Sequence, residues 1–142
     1  RSLRPDRLVL VGHSAGGCLA LWAAHQLKAS AAAGAPQAAL VLACAPVADL
    51  VRGHEMRVSD EGDAVELYMK CKPDTEEARA QYARASPAAL LPVSFPVLVA
   101  YGDGDRDVPP ELMASYAAAA REASPELVRE VVAPGADHFD VV

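Results

Sequence analysis

One serine, one aspartate and one histidine are spaced along the chain in a way that nucleophilic catalysis could use. Ser14 lies in the run Gly12-His13-Ser14-Ala15-Gly16, which matches the pattern G-x-S-x-G. A serine hydroxyl is a poor nucleophile unless a histidine takes its proton and a carboxylate supports that histidine. Candidates for both partners follow in the chain: Asp105 lies in a run rich in glycine and aspartate, and His138 lies near the end.

The residues around Ser14 predict a strand that turns sharply into a helix. Residues 8–11 form a continuous apolar run, which is typical of a strand covered on both faces. Residues 19–28 favour a helix, and one face of that helix would hold Cys18, Leu21, Trp22 and His25. A serine on such a turn has its hydroxyl exposed at the carboxyl end of the strand.

The small residues beside Ser14 have predicted roles in this turn. We expect a Cβ at Gly12 or Gly16 to collide with neighbouring backbone, so both positions require glycine. The helix that begins here would point its unpaired N–H groups at the space above Ser14. The backbone N–H of Ala15 is therefore our candidate donor to an oxyanion.

Three further apolar runs predict strands; they lie at residues 39–44, 95–101 and 127–132. A helix that starts with proline is expected at Pro109 and Pro110. Strands that alternate with helices predict parallel βα units with right-handed crossovers. Residues 127–132 are more amphipathic, which favours a place at the sheet edge. Since the carboxyl ends of parallel strands meet at one edge, Asp105 and His138 should lie near Ser14.

Residues 49–92 show no strand pattern and predict a small helical insert within one domain that spans residues 1–142. We expect a short helix over residues 63–71. A second helix should begin at the capping-box pattern Asp74-Thr75-Glu76-Glu77 and end at Ser86-Pro87.

Composition excludes several classes of partner. The 142 residues include 13 basic and 19 acidic ones, with a net charge of −6 and no long run of either sign, so nucleic acid and anionic membranes are not expected partners. No apolar run reaches the roughly 18 residues that cross a bilayer. The three cysteines form no C-x-x-C pair and predict reduced thiols, with a cytoplasmic location.

The segments GHSAGG, YGDGDRDVP and GADHF resemble the nucleophile, acid and histidine motifs of the α/β-hydrolase superfamily, in its esterase, lipase and arylformamidase branches. The ending D-H-F is similar to that of feruloyl esterase-like and kynurenine formamidase-like members. The resemblance places the acid on Asp105 through the pattern G-x-x-D-x-x-V-P, matched by Gly102, Val108 and Pro109. It implies a small ester or amide as substrate, with no metal or cofactor.

The same resemblance implies that the chain is the C-terminal half of the fold, with about four parallel strands of a larger sheet. The missing N-terminal half would then complete the sheet and supply the second oxyanion donor. Residues 49–92 would form the cap, in which Met56, Tyr68 and Met69 are candidates to line a substrate pocket.

Alternatives remain open at each position. Ser14 could cap the following helix, His13 could serve packing, and some members carry the acid where Asp49 stands. His54-Glu55 lacks the second histidine of a zinc motif. The main functional prediction is a serine hydrolase of esters or simple amides; the alternatives are an arylformamidase or acyl-peptide hydrolase with the same triad, or a non-catalytic binding protein on this fold.

Overall fold

The computed structural model of this chain describes residues 6–30 and 36–142, which build a four-stranded, all-parallel sheet. The strands lie side by side in chain order: β1 (Arg7–His13), β2 (Gln37–Cys44), β3 (Val97–Gly102) and β4 (Val128–Ala133). Each predicted apolar run is present as a strand, and β4 forms an edge as its amphipathic pattern indicates. Parallel pairing brings the ends of all these strands to one edge of the sheet.

Helices connect the strands. The long ones are α1 (Ala15–Ala29), which follows β1 directly, and α5 (Pro110–Ala123), which begins with a proline and joins β3 to β4. The insert between β2 and β3 is helical as predicted, with α2 (Leu50–Glu55), α3 (Ala64–Met69), α4 (Glu76–Ala85) and a 3₁₀ turn (Pro87–Leu90). The sequence patterns predict α3 and α4 but not α2.

Two helices of the insert are capped by polar side chains. Asp49 accepts a hydrogen bond of 3.1 Å from the backbone N–H of Arg52 at the start of α2. Thr75 accepts one of 3.1 Å from the N–H of Ala78 at the start of α4. The helix therefore begins one residue later than a capping box started by Asp74 requires, and the residue at the reciprocal position is an alanine.

The hydrophobic core lies on one face of the sheet. One buried cluster joins the strands to the two long helices. Its members include Val41, Val97, Val99 and Val128 of the strands, Leu21 of α1, and Leu112, Met113 and Tyr116 of α5. On the other face, Val9, Val11 and Val131 are 62%, 65% and 51% exposed. The prediction that β1 is covered on both faces is wrong for the described residues, because their helices pack on only one side.

The inner face of α1 also differs in part from the prediction. Gly17, Cys18, Ala20, Leu21 and Ala24 are buried, whereas Trp22 is 36% exposed and donates its Nε1–H to the backbone oxygen of Arg84 at 3.0 Å. His25 packs edge-on against Phe95, with ring centroids 5.0 Å apart, and burial lowers its pKa. Trp22 therefore covers the end of α4 rather than the sheet.

Within the described ranges, no helix combines the length and apolar character that spanning a membrane requires.

Candidate active site

Ser14 occupies the turn between β1 and α1. Its backbone has φ 55° and ψ −121°, a positive-φ conformation that is uncommon outside glycine. The turn is fixed by hydrogen bonds: the Ser14 N–H donates to the oxygen of Cys44 at 2.9 Å, and the Ser14 oxygen accepts from Gly17 at 3.0 Å. Although Ser14 stands at the N-cap position, its hydroxyl makes no capping bond, so that hydroxyl is not engaged by the helix.

The glycines of this turn have different roles. A Cβ at Gly12 would lie 2.0 Å from the backbone oxygen of Gly16, and one at Gly17 would lie 2.9 Å from the Cβ of Pro46. Both positions therefore exclude larger residues. The expectation for Gly16 is wrong: a Cβ there would meet nothing within 4 Å, because the crowding in this turn is between Gly12 and the carbonyl of Gly16.

Asp105 lies in the loop that follows β3, and its side chain is fully buried at 0% exposure. One carboxylate oxygen, Oδ1, accepts from the backbone N–H groups of Asp107 at 3.0 Å and Val108 at 2.8 Å. The other, Oδ2, is 2.7 Å from Nδ1 of His138. These bonds orient the carboxylate and satisfy its hydrogen-bonding capacity away from water.

The loop that holds Asp105 is bound to the loop that holds His138. The backbone N–H of Gly104 donates to the oxygen of Ala136 at 3.0 Å, and Gly135 donates to the Asp103 carboxylate at 2.6 Å. A Cβ at Gly102 would lie 2.0 Å from that same Ala136 oxygen. Gly102 therefore lets the two loops approach, and Asp103 holds them together rather than contacting the histidine.

His138 is buried, with 4% of its surface exposed. The preceding Asp137 accepts hydrogen bonds from the N–H groups of Phe139 at 2.8 Å and Asp140 at 3.1 Å, which bends the chain at this point. The bond from Nδ1 to Asp105 assigns the hydrogen of the neutral ring to Nδ1. Nε2 is then the atom that can accept a proton, as a general base requires.

A contact that sequence reasoning missed links His13 to this histidine. Nε2 of His13 lies 2.7 Å from the backbone oxygen of His138, and the two ring centroids are 4.5 Å apart. We predict packing for His13 from its place on the turn, and the structure adds a hydrogen bond. No local sequence signal indicates this bond because the residues are 125 positions apart.

A cavity of about 200 Å³ opens beside Ser14 and His138. Most of the side chains that line it are apolar, including Ala15, Val47, Leu50, Val65, Tyr68 and Val108. Of the predicted pocket residues, Tyr68 lines the cavity. Met56 and Met69 pack against the hydrophobic core instead, because the helical segments that carry them turn these side chains inward.

Cys18 also lines the cavity, and its chemistry is suppressed by its surroundings. Burial raises the pKa of its thiol to about 12, although a hydrogen bond with Tyr68 acts in the opposite direction. Since the thiolate is the reactive form of cysteine, Cys18 stays protonated at neutral pH.

The other candidate residues lie elsewhere or serve other roles. Asp49, the alternative acid, caps α2, and His54 packs edge-on against Tyr82 at 6.5 Å. Asp105, Asp107 and His138 form a group whose potential metal-ligand atoms lie within 4.8 Å of one another. Asp105 and His138 are hydrogen-bonded to each other in that group, which fits an acid–base pair.

The chain has the fold of an α/β-hydrolase. The features that define it are the parallel sheet with its helices, the strand-to-helix turn at Ser14 and the paired loops after β3 and β4. The sequence profile Peptidase_S9, the prolyl oligopeptidase family, matches residues 2–141. The chain belongs to the prolyl oligopeptidase family.

Solved structures with the same fold include hydrolases of several kinds. A truncated carbohydrate esterase from gut microbiota superposes with a TM-score of 0.73 at 17% identity, over 96% of this chain and 54% of that protein. For the acylaminoacyl peptidase of Pyrococcus horikoshii the TM-score is 0.68 at 16% identity, over 96% of this chain and 20% of the peptidase. The propionate-bound esterase Est2 of Thermogutta terrifontis superposes with a TM-score of 0.59 at 25% identity, over 92% of this chain and 46% of the esterase.

The chain thus spans about a fifth of the length of the acylaminoacyl peptidases and about half of the esterases. Among curated proteins, none matches the chain. The predicted fold, the C-terminal part of an α/β-hydrolase, is confirmed by these superpositions.

Proposed function

We propose that this protein is a serine hydrolase that cleaves carboxylic esters or simple amides through an acyl-enzyme. The observation that carries the proposal is that His138, whose Nδ1 lies 2.7 Å from the buried carboxylate of Asp105, lines the same cavity as Ser14, which has a positive φ in the strand-to-helix turn. The proposal is supported by chain position, because Ser14, Asp105 and His138 follow the carboxyl ends of the parallel strands β1, β3 and β4.

In the proposed mechanism, the hydroxyl oxygen of Ser14 attacks the substrate carbonyl while Nε2 of His138 takes the hydroxyl proton. Asp105 holds the imidazole by Nδ1 and stabilises its positive charge. The N–H of Ala15, the first residue of α1, has no acceptor within its own helix and donates to the oxyanion. His138 then protonates the leaving group, and water cleaves the acyl-enzyme by the same steps.

The cavity favours a substrate with a small apolar acyl or aryl group. Its volume of about 200 Å³ and its apolar side chains suit such a group better than a charged one. The esterase Est2 is described with propionate bound, which is a short carboxylic acid. The reaction scheme needs no metal or organic cofactor.

An amide substrate is the second candidate. The family profile is that of peptidases, and the acylaminoacyl peptidase of Pyrococcus horikoshii has the same fold. An arylformamidase or acyl-peptide hydrolase would use the same triad. Comparing a formyl-aniline, an N-acyl dipeptide and a short aryl ester on one enzyme preparation ranks these substrate classes by kcat/KM.

Parts of the active enzyme would come from outside the described residues. We propose that an upstream segment supplies the second oxyanion donor, since Ala15 contributes only its own N–H. The same segment would complete the sheet beside β1. A cytoplasmic location is in keeping with three free cysteines, because reducing compartments maintain thiols.

Replacing the nucleophile tests the proposal directly. In the full-length protein, we expect Ser14→Ala to lower turnover of a short aryl ester by at least about a thousandfold, as losses within a triad do. Ser115→Ala is the matched control: its hydroxyl bonds the oxygen of Leu112 within α5, away from the site. More than about a thousandth of the activity left in Ser14→Ala would rule out this nucleophile.

A fluorophosphonate probe separates the enzyme from a binding protein on the same fold. We expect the probe to label Ser14 in the wild type and to leave Ser14→Ala unlabelled. A wild-type protein that is folded, does not react with the probe and hydrolyses no ester or amide would favour the non-catalytic alternative.

A further inference from the structure

We propose that His13 is a positioning residue that fixes the main chain of His138 and thereby sets the spacing between nucleophile and base. This inference rests on the proposed function, since it assigns His138 as the base. The observation is a hydrogen bond between Nε2 of His13 and the backbone oxygen of His138, at 2.7 Å.

The chemistry of this bond determines which atom carries the hydrogen. A backbone carbonyl can only accept, so Nε2 of His13 must be the donor. The neutral Nε2–H tautomer and the doubly protonated ring both provide that hydrogen.

Ring packing supports the same geometry. The His13 ring is half-buried, with its centroid 4.5 Å from that of His138 and 5.7 Å from that of Phe139. The rings of His138 and Phe139 are themselves 5.1 Å apart in an edge-on arrangement. The His13 side chain thus contacts both the ring and the backbone oxygen of His138.

The position of His13 in the chain gives this contact its consequence. His13 precedes Ser14 directly, so a single peptide unit joins the hydrogen-bonding residue to the nucleophile. Asp105 restrains the His138 ring at Nδ1, whereas His13 restrains the backbone that carries that ring. The two restraints together limit how far Nε2 of His138 can move from the Ser14 hydroxyl.

Misplacing a reacting group by about 1 Å can reduce a rate by about 100-fold. We therefore expect loss of the hydrogen bond to reduce kcat more than it affects substrate binding. His13 does not contact the cavity, which is lined by Ser14, His138 and other residues. This separates it from residues that would alter KM directly.

The test uses substitutions that remove the donor and the ring separately in the full-length protein. His13→Phe keeps a ring against His138 but has no donor, while His13→Gln places an N–H near the position of Nε2 without the ring. We expect kcat for an aryl ester to fall about 10- to 100-fold in His13→Phe, with KM within about twofold. His13→Gln should recover most of that loss.

The rate of labelling by a fluorophosphonate gives a second readout, because it measures the reactivity of Ser14 without a substrate pocket requirement. We expect it to fall in His13→Phe and to recover in His13→Gln. The matched control is His54→Phe, another half-buried histidine whose ring packs on Tyr82 in the insert. It should retain wild-type kcat, and thermal unfolding of each variant gives the fraction folded.

Two results would overturn the inference: a folded His13→Phe as active as His54→Phe, or a His13→Gln as slow as His13→Phe. Ser14→Ala is measured beside them to keep the two proposals distinguishable. An active Ser14→Ala would refute the proposed function itself. An inactive Ser14→Ala with a fully active His13→Phe would refute only the role of His13.

Discussion

Two aspartates, Asp105 and Asp49, follow neighbouring strands of this sheet and end in different roles. Asp105 accepts two backbone N–H groups on one oxygen and pairs with His138 through the other. Asp49 accepts one backbone N–H at the start of α2. Their residue type is the same, so their roles follow from which loop reaches the histidine.

Exchanging each aspartate for asparagine separates these roles. We expect Asp105→Asn to lower kcat by about 10³- to 10⁴-fold, because an amide no longer stabilises the imidazolium and can favour the wrong tautomer. Asp49→Asn is the matched control, and it should change neither activity nor stability since asparagine caps a helix about as well as aspartate. Steady-state kinetics and thermal unfolding measure both; the reverse pattern would move the acid to Asp49.

At the residue scale, the sequence predicts side chains whose partners follow from chain order and misses those set by tertiary contacts. Ser14, Asp105 and His138 can be chosen because each follows a predicted strand, and parallel strands end at one edge. The bond between His13 and His138 has no such signal. Tyr68 lines the cavity while Met56 and Met69 pack against the core, a difference that depends on how the helices of the insert are oriented against the core.

At the scale of elements, the turn from β1 into α1 places the half-buried Ser14 beside the cavity. It is tight enough that a Cβ on Gly12 would overlap the Gly16 carbonyl at 2.0 Å, and Ser14 takes a positive φ within it. The glycines in the sequence predict this turn. The sequence does not predict which glycine is sterically required, because that depends on the path of the backbone.

The two elbow glycines therefore make a matched pair for substitution. We expect Gly12→Ala to abolish activity and destabilise the protein by several kcal/mol or prevent folding, since backbone atoms must move to admit the Cβ. Gly16→Ala should fold normally and, in a helix, gain up to about 1 kcal/mol of stability from the lower flexibility of alanine. Thermal unfolding of both variants measures this.

Activity should follow the same order, with Gly16→Ala retaining ester hydrolysis and Gly12→Ala losing it. Equal tolerance of both substitutions would show that the turn is looser than its geometry indicates. Equal damage would restore the expectation that both glycines are needed for space.

The prediction of elements succeeded where apolar periodicity was strong and failed where burial depends on neighbours. The four strands and α1, α4 and α5 lie where their patterns place them, whereas the short α2 has no long apolar pattern and begins after the Asp49 cap. The exposed side of β1 shows the same limit. Its valines predict burial, and nothing in the strand itself shows whether a covering element is present.

At the scale of the whole molecule, the sheet has one covered and one open face in the described ranges. Val9, Val11 and Val131 lie exposed on the open face, and β1 ends the sheet with an unpaired edge. An apolar face beside an open strand edge favours association with other chains. The structural relatives span about two to five times the length of this chain, which fits our proposal that further residues complete the sheet beside β1. We expect those residues to cover this face as well.

Expressing residues 1–142 alone tests that view of the molecule. We expect this chain to aggregate, and Val9→Lys with Val11→Lys to reduce aggregation measured by light scattering, because lysines protect open strands. The control is Leu19→Lys with Leu67→Lys, two leucines exposed by 48% and 58% on helices. Both double variants change the net charge of the chain by the same amount. A decrease in aggregation that is seen only for the valine variant therefore cannot be a general effect of charge.

The full-length protein gives the complementary test. There we expect the valine variant to lower the unfolding temperature, since its lysines would then be buried. An unchanged unfolding temperature would show that this face of the sheet stays open.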